Sequence, residues 1–331
     1  MKNFVYFRPK TAEEAVSLLA TKWGFSELLA GGTDLLDLQK EYVTQPNKVI
    51  SLGAIPQLVG IKVGDGKVSI GAGTKLADIA AHEDLRKLMP ALTTAAGDIG
   101  GPQIRNMGTL GGNLCQRNRC WYFRDEHTNC LLRGGGKCFA LDGENRYHAI
   151  FTQGHNCVIV HPSTLAPGLL VLGGVVEVQG AAEKRQIPLS KFFQAPRSAE
   201  EREHVLAPNE LVLSVTIPSD GVKNASYEVR HKQAYDWPLV QAAVAFKLDG
   251  NKATDVKIAL GHVAPTPMLV EGAGKLLEGK EISDETASAA GRAASEGAKP
   301  LAQNGYKVKL VEVAVKRAIL TAAGMKKYWE T

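Results

Sequence analysis

The sequence is poor in cysteine, and the few it has are not spread along it. Five cysteines occur in 331 residues, all between positions 115 and 157. A small, odd number in a chain of this length excludes the dense, even-numbered disulfide framework of a small secreted domain. Clustered thiols point instead to a reducing compartment at the time of folding, and to metal binding or redox work. Long apolar runs are also missing. No stretch of ~18 apolar residues occurs, so no membrane span is expected. The opening MKNFVYFRPK has neither an apolar core of leader length nor a small-residue cleavage site, so no signal peptide is expected there. Net charge is modest at +5, and the 39 Lys and Arg are scattered among 34 Asp and Glu. That is a mixed solvated surface and argues against a nucleic-acid partner. There is no internal repeat, no low-complexity tract, no Walker A loop, no Rossmann G-x-G-x-x-G fingerprint and no Ser-His-Asp arrangement. No catalytic residue is assigned.

The remainder is ordinary globular material, 44% apolar and 22% charged, and its length suits two or three domains. FVYF, the capped helix TAEEAVSLLA, SELLAG, DLLDLQKEY and KVISLG read as strand, helix, strand, helix, strand. LVGIKVGDGKVSIGAG predicts a hairpin turning at Asp65-Gly66, and a helix-rich stretch follows to about residue 99. Strand character resumes in LLVLGGVVEVQG and closes with LVLSVTIP. A turn-rich segment, SDGVKN, marks a boundary near residue 220. Beyond it come the strand-like SYEVRHKQ, two strands around Asp249-Gly250-Asn251, and then helices to the end.

Two glycine-rich segments precede the cysteines. LLAGGTDLLDL runs from a strand through Gly31-Gly32 into a helix start. GDIGGPQIRNMGTLGGNLCQ holds six glycines around Arg105, Asn106, Thr109 and Asn113. Glycine loses the most backbone freedom on folding, so such loops belong where amides must surround something polar. Taken alone, the first reads as a plain turn before a phosphate site. Together, the two fit a grip on the two phosphates of a dinucleotide. The cysteine spacing, C-x4-C-x9-C-x7-C-x18-C, lacks the paired C-x2-C knuckles of a zinc ribbon. Zinc with mixed Cys and His ligands stays open, because His127, His148, His155 and His161 lie close in sequence; so does an iron–sulfur cluster.

LLAGGTDLL, QIRNMGTLGGNL, VHPSTLA, IPLSKFF, ELVLSVTIP and ALGHVAPTP follow one another in this order. Together they resemble the FAD-binding medium subunit of the molybdenum hydroxylases, the xanthine dehydrogenase and carbon monoxide dehydrogenase family, across essentially the whole chain. The resemblance implies an α+β fold. Residues 1–220 would form an FAD-binding (PCMH-type) domain of two α/β subdomains, about 1–55 and 56–220, with an iron–sulfur insert at about 114–160. Residues 221–331 would form a C-terminal antiparallel sheet-and-helix domain. It further implies FAD contacts from Leu28, Leu29, Ala30, Gly31, Gly32, Thr33, Asp34 and Leu35 on one side of the diphosphate. Ile104, Arg105, Asn106, Thr109, Gly111, Gly112 and Asn113 would face it from the other side. Thr164 stands where the family often has an acidic residue near FAD. Arg230 and Lys232, in VRHKQAYDWP, would approach the flavin ring, or are simply charges on a strand surface.

The insert RCWYFRDEHTNC with its later cysteines resembles the loop of the branch that includes 4-hydroxybenzoyl-CoA reductase and the periplasmic aldehyde oxidoreductases. The closing run FALDGENRYHAIF is most like the second. This implies a 4Fe–4S cluster on Cys120, Cys130, Cys138 and Cys157, with Cys115 left as a small apolar filler. The implied partners are a large subunit carrying the molybdenum cofactor, a small subunit carrying 2Fe–2S clusters, and an external electron acceptor. The implied role is electron transfer during oxidation of aldehydes or aromatic heterocycles, with an aromatic acyl-CoA reductase as the alternative. Two rivals from other classes are a zinc-stabilised binding module without enzymatic activity and a free-standing FAD oxidase of the vanillyl-alcohol type. The expected location is the cytoplasm, or the periplasm after export in folded form with a signal-bearing partner.

Overall fold

Short parallel strands joined by helices open the chain. β1 (Val5–Phe7), β2 (Ser26–Leu29) and β3 (Lys48–Ser51) form a parallel sheet in the order β1-β3-β2, with Leu28 and Phe7 both beside Ile50. Parallel neighbours need crossovers, and the helices Ala12–Ser17 and Leu35–Lys40 supply them. The first starts at Thr11, whose hydroxyl accepts from the Glu14 N–H at 3.1 Å, as the sequence predicts. The computed structural model describes residues 1–331 except Gln153, Lys327, Glu330 and Thr331.

A second, antiparallel sheet follows: β4 (Ile61–Gly64), β5 (Lys67–Gly71), β6 (Val175–Gln179), β7 (Lys184–Pro188) and β8 (Leu211–Pro218), in the order β4-β5-β8-β6-β7. The β4–β5 turn puts Asp65 at φ 51° and Gly66 at φ 69°. Both central residues are left-handed, as a tight hairpin turn requires. Between β5 and β6 lie three helices, Leu76–Ala81, Glu83–Leu88 and Pro90–Asp98, then the second glycine loop and the cysteine segment. The cysteine segment is mostly irregular, with one short helix, Trp121–Arg124.

The last sheet is β9 (Lys223–Val229), β10 (Val240–Asp249), β11 (Lys252–Gly261) and β12 (Met268–Leu269), antiparallel in the order β12-β11-β10-β9. The run AAVAF in β10 is apolar on both faces, and the strand period explains why. Val240, Ala242, Val244 and Phe246 face a core shared with the helices Asp284–Ser295 and Tyr306–Ala322. Ala243 and Ala245 face the core of the middle sheet and the helix Leu165–Val171. The third sheet is thereby pressed against the body that carries the glycine loops. The strand-like reading of SYEVRHKQ holds only as far as Val229. Beyond it Asp236 accepts from the N–H groups of both His231 and Lys232 at 3.1 Å, which turns the chain into a loop.

Candidate functional site

The two glycine loops meet backbone to backbone. After β2 the chain passes through Ala30, Gly31 and Gly32, the last at φ +76°, into the helix Leu35–Lys40. A Cβ on Gly31 would lie 1.9 Å from the carbonyl oxygen of Met107, so only glycine allows this approach. In the second loop the Arg105 guanidinium donates to the Ile99 and Gly100 carbonyls at 3.0 and 2.9 Å and closes the turn. Thr109 caps the helix Leu110–Cys115 by accepting from Gly112 N–H at 3.1 Å. Asn113 Oδ1 accepts from Ser163 Oγ at 2.7 Å and ties this loop to the HPST segment. There Thr164 Oγ1 lies 3.4 Å from His262 Nε2.

Between the loops runs a cleft of about 560 Å³. Leu28, Ala30, Gly31, Gly32, Thr33, Asp34 and Leu35 line one side, and Ile104, Thr109, Gly111, Gly112, Asn113 and Thr164 the other. Leu29, Arg105 and Asn106 do not line it. Leu29 pairs with Ser51 in the first sheet, Arg105 is spent on the loop carbonyls, and Asn106 is exposed on the helix Pro102–Met107. Arg230 and Lys232 line a second cleft, of about 750 Å³. Arg230 donates to the Asp98 carbonyl at 3.0 Å and carboxylate at 3.2 Å, and lies 3.7 Å from the buried Glu228. Burial, reinforced by Asp98, pushes the Glu228 carboxyl up to about 8.

Residues without a sequence signal complete the first cleft. Tyr235, Trp237, Trp23, Arg202 and His204 also line it. Tyr235 is 68% exposed and its ring sits where a Cβ on Gly101 would be, at 2.4 Å, so this aromatic covers bare glycine backbone. Arg119 lies 4.7 Å over the Trp237 ring.

Asp34 does not stand free at the helix start. Its carboxylate pairs with Arg124 at 2.6 Å and Arg119 at 3.1 Å, and accepts the Arg117 N–H at 2.8 Å. One side chain of the first glycine loop therefore anchors the cysteine segment. Burial pushes Arg119 down to about 10, with Asp34 acting the other way. Replacing Asp34 by asparagine keeps the shape and removes the charge. Because the partners are partly solvated, the expected loss is about 1–2 kcal/mol. It is read as a lower Tm and easier proteolysis near residue 120.

A deeper anchor is Glu203, fully buried, whose carboxylate takes Arg117 Nε at 2.7 Å and Asn118 N and Nδ2 at 3.0 and 2.8 Å. Burial alone pushes Glu203 up, but Arg117 and the Asn118 donors outweigh it and hold the group at about 2. A carboxyl lowered on folding stabilises above its unfolded value near 4.5 and loses that contribution as pH falls toward 2. Melting between pH 5 and about pH 2.5 should therefore cost the native chain on the order of 3 kcal/mol more than a Glu203→Gln variant.

The four cysteines of the insert share one apolar cluster. Cys130, Cys138 and Cys157 are buried among Phe123, Leu132, Ala140 and Ile159, with Cys120 half-buried beside them. Cys157 hydrogen-bonds Cys138, which lowers the Cys138 thiol and raises its own. Burial pushes Cys120 up to about 12. Among the described residues no three His, Cys, Asp or Glu side chains converge as ligands of a single metal ion would. Cys115 lies apart, half-buried against the middle-sheet core.

Residues 2–220 match the family described as FAD binding domain in molybdopterin dehydrogenase, and residues 225–322 match the CO dehydrogenase flavoprotein C-terminal domain. The chain belongs to this family. It is an FAD-binding medium subunit of the molybdenum hydroxylase type and thus an oxidoreductase subunit. It is 35% identical to the aldehyde oxidoreductase FAD-binding subunit PaoB of Escherichia coli (strain K12) over 317 residues, 94% of this chain and 96% of that one. It is 28% identical to the carbon monoxide dehydrogenase medium chain of Hydrogenophaga pseudoflava over 326 residues, 97% of each chain. A solved carbon monoxide dehydrogenase from Hydrogenophaga pseudoflava superposes with a TM-score of 0.76 at 27% identity, covering 98% of both chains. The α+β expectation and the FAD expectation both stand. The residues of the cleft suit FAD. The cleft holds about 560 Å³, glycines line it on both sides, and no side chain could replace Gly31. No helix of the described residues is long and apolar enough to cross a membrane.

Proposed function

We propose that this medium subunit takes electrons from 2Fe–2S clusters of a small partner subunit and passes them to an external acceptor, while a large molybdenum subunit oxidises aldehydes or aromatic heterocycles. The observation that carries this is the contact of the two glycine loops around one cleft, with the cysteine insert pinned to the first loop through Asp34. The likeness to an aldehyde oxidoreductase FAD-binding subunit supports the aldehyde class. Bound FAD supplies a carrier that takes electrons singly or in pairs and so joins one-electron donors to two-electron acceptors. The chain's own work is positional. Gly31, Gly32, Gly111 and Gly112 offer bare backbone to the diphosphate, and Thr109 and Asn113 hold that backbone in place. Tyr235 and Trp237 add aromatic surface to the cleft wall. Residues 1–220 act as the FAD-binding domain and residues 221–331 as the C-terminal domain that backs it.

The insert is proposed to hold a 4Fe–4S cluster on Cys120, Cys130, Cys138 and Cys157. Four thiols from separate loop positions gather in one apolar pocket, where burial disfavours bare thiolates and a metal centre would stabilise them. The donor set, four thiols brought into one apolar cluster, is chemically suited to an iron–sulfur centre. Folding is proposed to take place in the cytoplasm, where the thiols stay reduced. The test is flavin and metal analysis of the complex co-purified with its partner subunits. One FAD and a 4Fe–4S complement on this chain are expected. Flavin with no iron beyond that of the partner's 2Fe–2S clusters removes the cluster, zinc in its place favours the binding-module rival, and absence of both flavin and a 4Fe–4S complement removes the whole proposal.

A further inference from the structure

The structure assigns His148 a role that no motif marks: we infer that it is a positioning residue of the iron–sulfur site, donating Nε2–H to Cys120 Sγ and raising the reduction potential of the cluster. This rests on the cluster proposal above. The imidazole Nε2 lies 3.2 Å from the sulfur. A thiolate accepts and has no proton to give, so the contact requires a proton on Nε2 whatever the charge of the ring. The other ring nitrogen, Nδ1, is buried and has no hydrogen-bond partner among the described residues, so no competing acceptor draws the proton away.

The ring is held where it can do this. His148 is 3% exposed, and the Trp121 indole packs its edge against it at 5.2 Å. The Tyr122 ring also lies beside it, at 6.4 Å. The backbone is fixed independently of the side chain. His148 N–H donates to Asn145 O at 3.0 Å, and Asn304 Nδ2 donates to His148 O at 3.1 Å. Lys307 Nζ adds a bond to Tyr147 O at 2.9 Å. The loop therefore keeps its path if the imidazole is changed.

Backbone amides lie near the cysteine sulfurs, those of Tyr122 and Phe123 at Cys120 and of Ala140 and Leu141 at Cys138. Cys120 adds a side-chain donor. A donor on a ligand sulfur withdraws electron density. It stabilises the reduced cluster, which carries one more negative charge, more than the oxidised one, so the potential rises.

The experiment uses the co-expressed complex with His148→Phe, which removes the donor, and His148→Gln, which keeps an N–H. Iron and FAD are quantified, and the 4Fe–4S midpoint is read by an EPR-monitored redox titration. The expected result is native iron and FAD in both variants, a more negative cluster midpoint in His148→Phe, a midpoint near native in His148→Gln, and an unmoved flavin potential. An unshifted His148→Phe, equal shifts in both variants, or loss of iron from both would overturn the inference in favour of a purely structural side chain. A native complex that holds flavin and only the iron of the partner's 2Fe–2S clusters, with no 4Fe–4S EPR signal, fails the cluster proposal itself, a result visible before any variant is made.

Discussion

Replacing Cys130 by serine is expected to strip this chain's four irons from the complex, leaving those of the partner's 2Fe–2S clusters, and to loosen the whole insert. Cys130 sits inside the apolar cluster that also holds Cys138 and Cys157, and its carbonyl accepts from the Arg133 and Gly135 N–H groups. A serine hydroxyl there is a poor ligand for iron. It is also a buried polar group without an assured partner, at a cost of about 1–3 kcal/mol. Loss of the cluster adds to this, because metal binding and loop folding are one equilibrium. Cys115→Ser is the control. Its sulfur packs against the middle-sheet core, outside the four-cysteine cluster, so iron content should stay native. Iron assay and the broad visible shoulder of the purified complex decide it. Equal iron in the two variants would remove the ligand assignment.

Replacing Gly31 by valine should weaken flavin retention roughly tenfold or more while leaving the iron in place. The clash is with a backbone carbonyl, that of Met107 at 1.9 Å from the new Cβ, and no rotamer change relieves it. The two glycine loops must separate, which opens the cleft between them. Overpacking of this kind costs about 1–3 kcal/mol. Since 1.4 kcal/mol is tenfold in affinity, FAD binding should weaken by roughly tenfold or more. Gly272→Ala provides the comparison, since nothing lies within 4 Å of its added Cβ. Flavin fluorescence released on dilution measures both. Native flavin affinity in Gly31→Val would show that loop contact is not what shapes the site.

Much of the cleft was legible because its demands are local. AGGTDLL and GTLGGN announce backbone left bare, and the structure places both segments on one cleft. Thr11 and the Asp65-Gly66 turn act within four residues of themselves, and both behave as their chemistry dictates. Arg105 shows the limit of that reading. It lies between cleft-lining residues in the sequence, yet its guanidinium turns back onto Ile99 and Gly100. Arg230 likewise spends its charge on Asp98 and Glu228 beside a different cleft. A motif specifies which residues are near, whereas the direction of a long side chain depends on which buried acceptor is left to satisfy.

The least legible parts are the charge pairs that join distant segments. Nothing in SAEEREHVL marks Glu203 as the buried acceptor for Arg117 and Asn118, 86 and 85 residues away. Nothing around His148 announces a contact with Cys120. Such partners are chosen by desolvation, which exists only once the whole chain has closed around them.

From the sequence alone follow the family, the glycine loops, the gathering of all cysteines in one insert and the absence of an apolar span. Each depends on residue type and short-range order, which the chain carries whether folded or not. The tertiary structure alone decided that Gly31 abuts Met107, that Asp34 fastens the insert to the first loop, and that Tyr235 covers Gly101. Those facts rest on close approach and exclusion of water between segments far apart in the chain, and neither exists before the packing does.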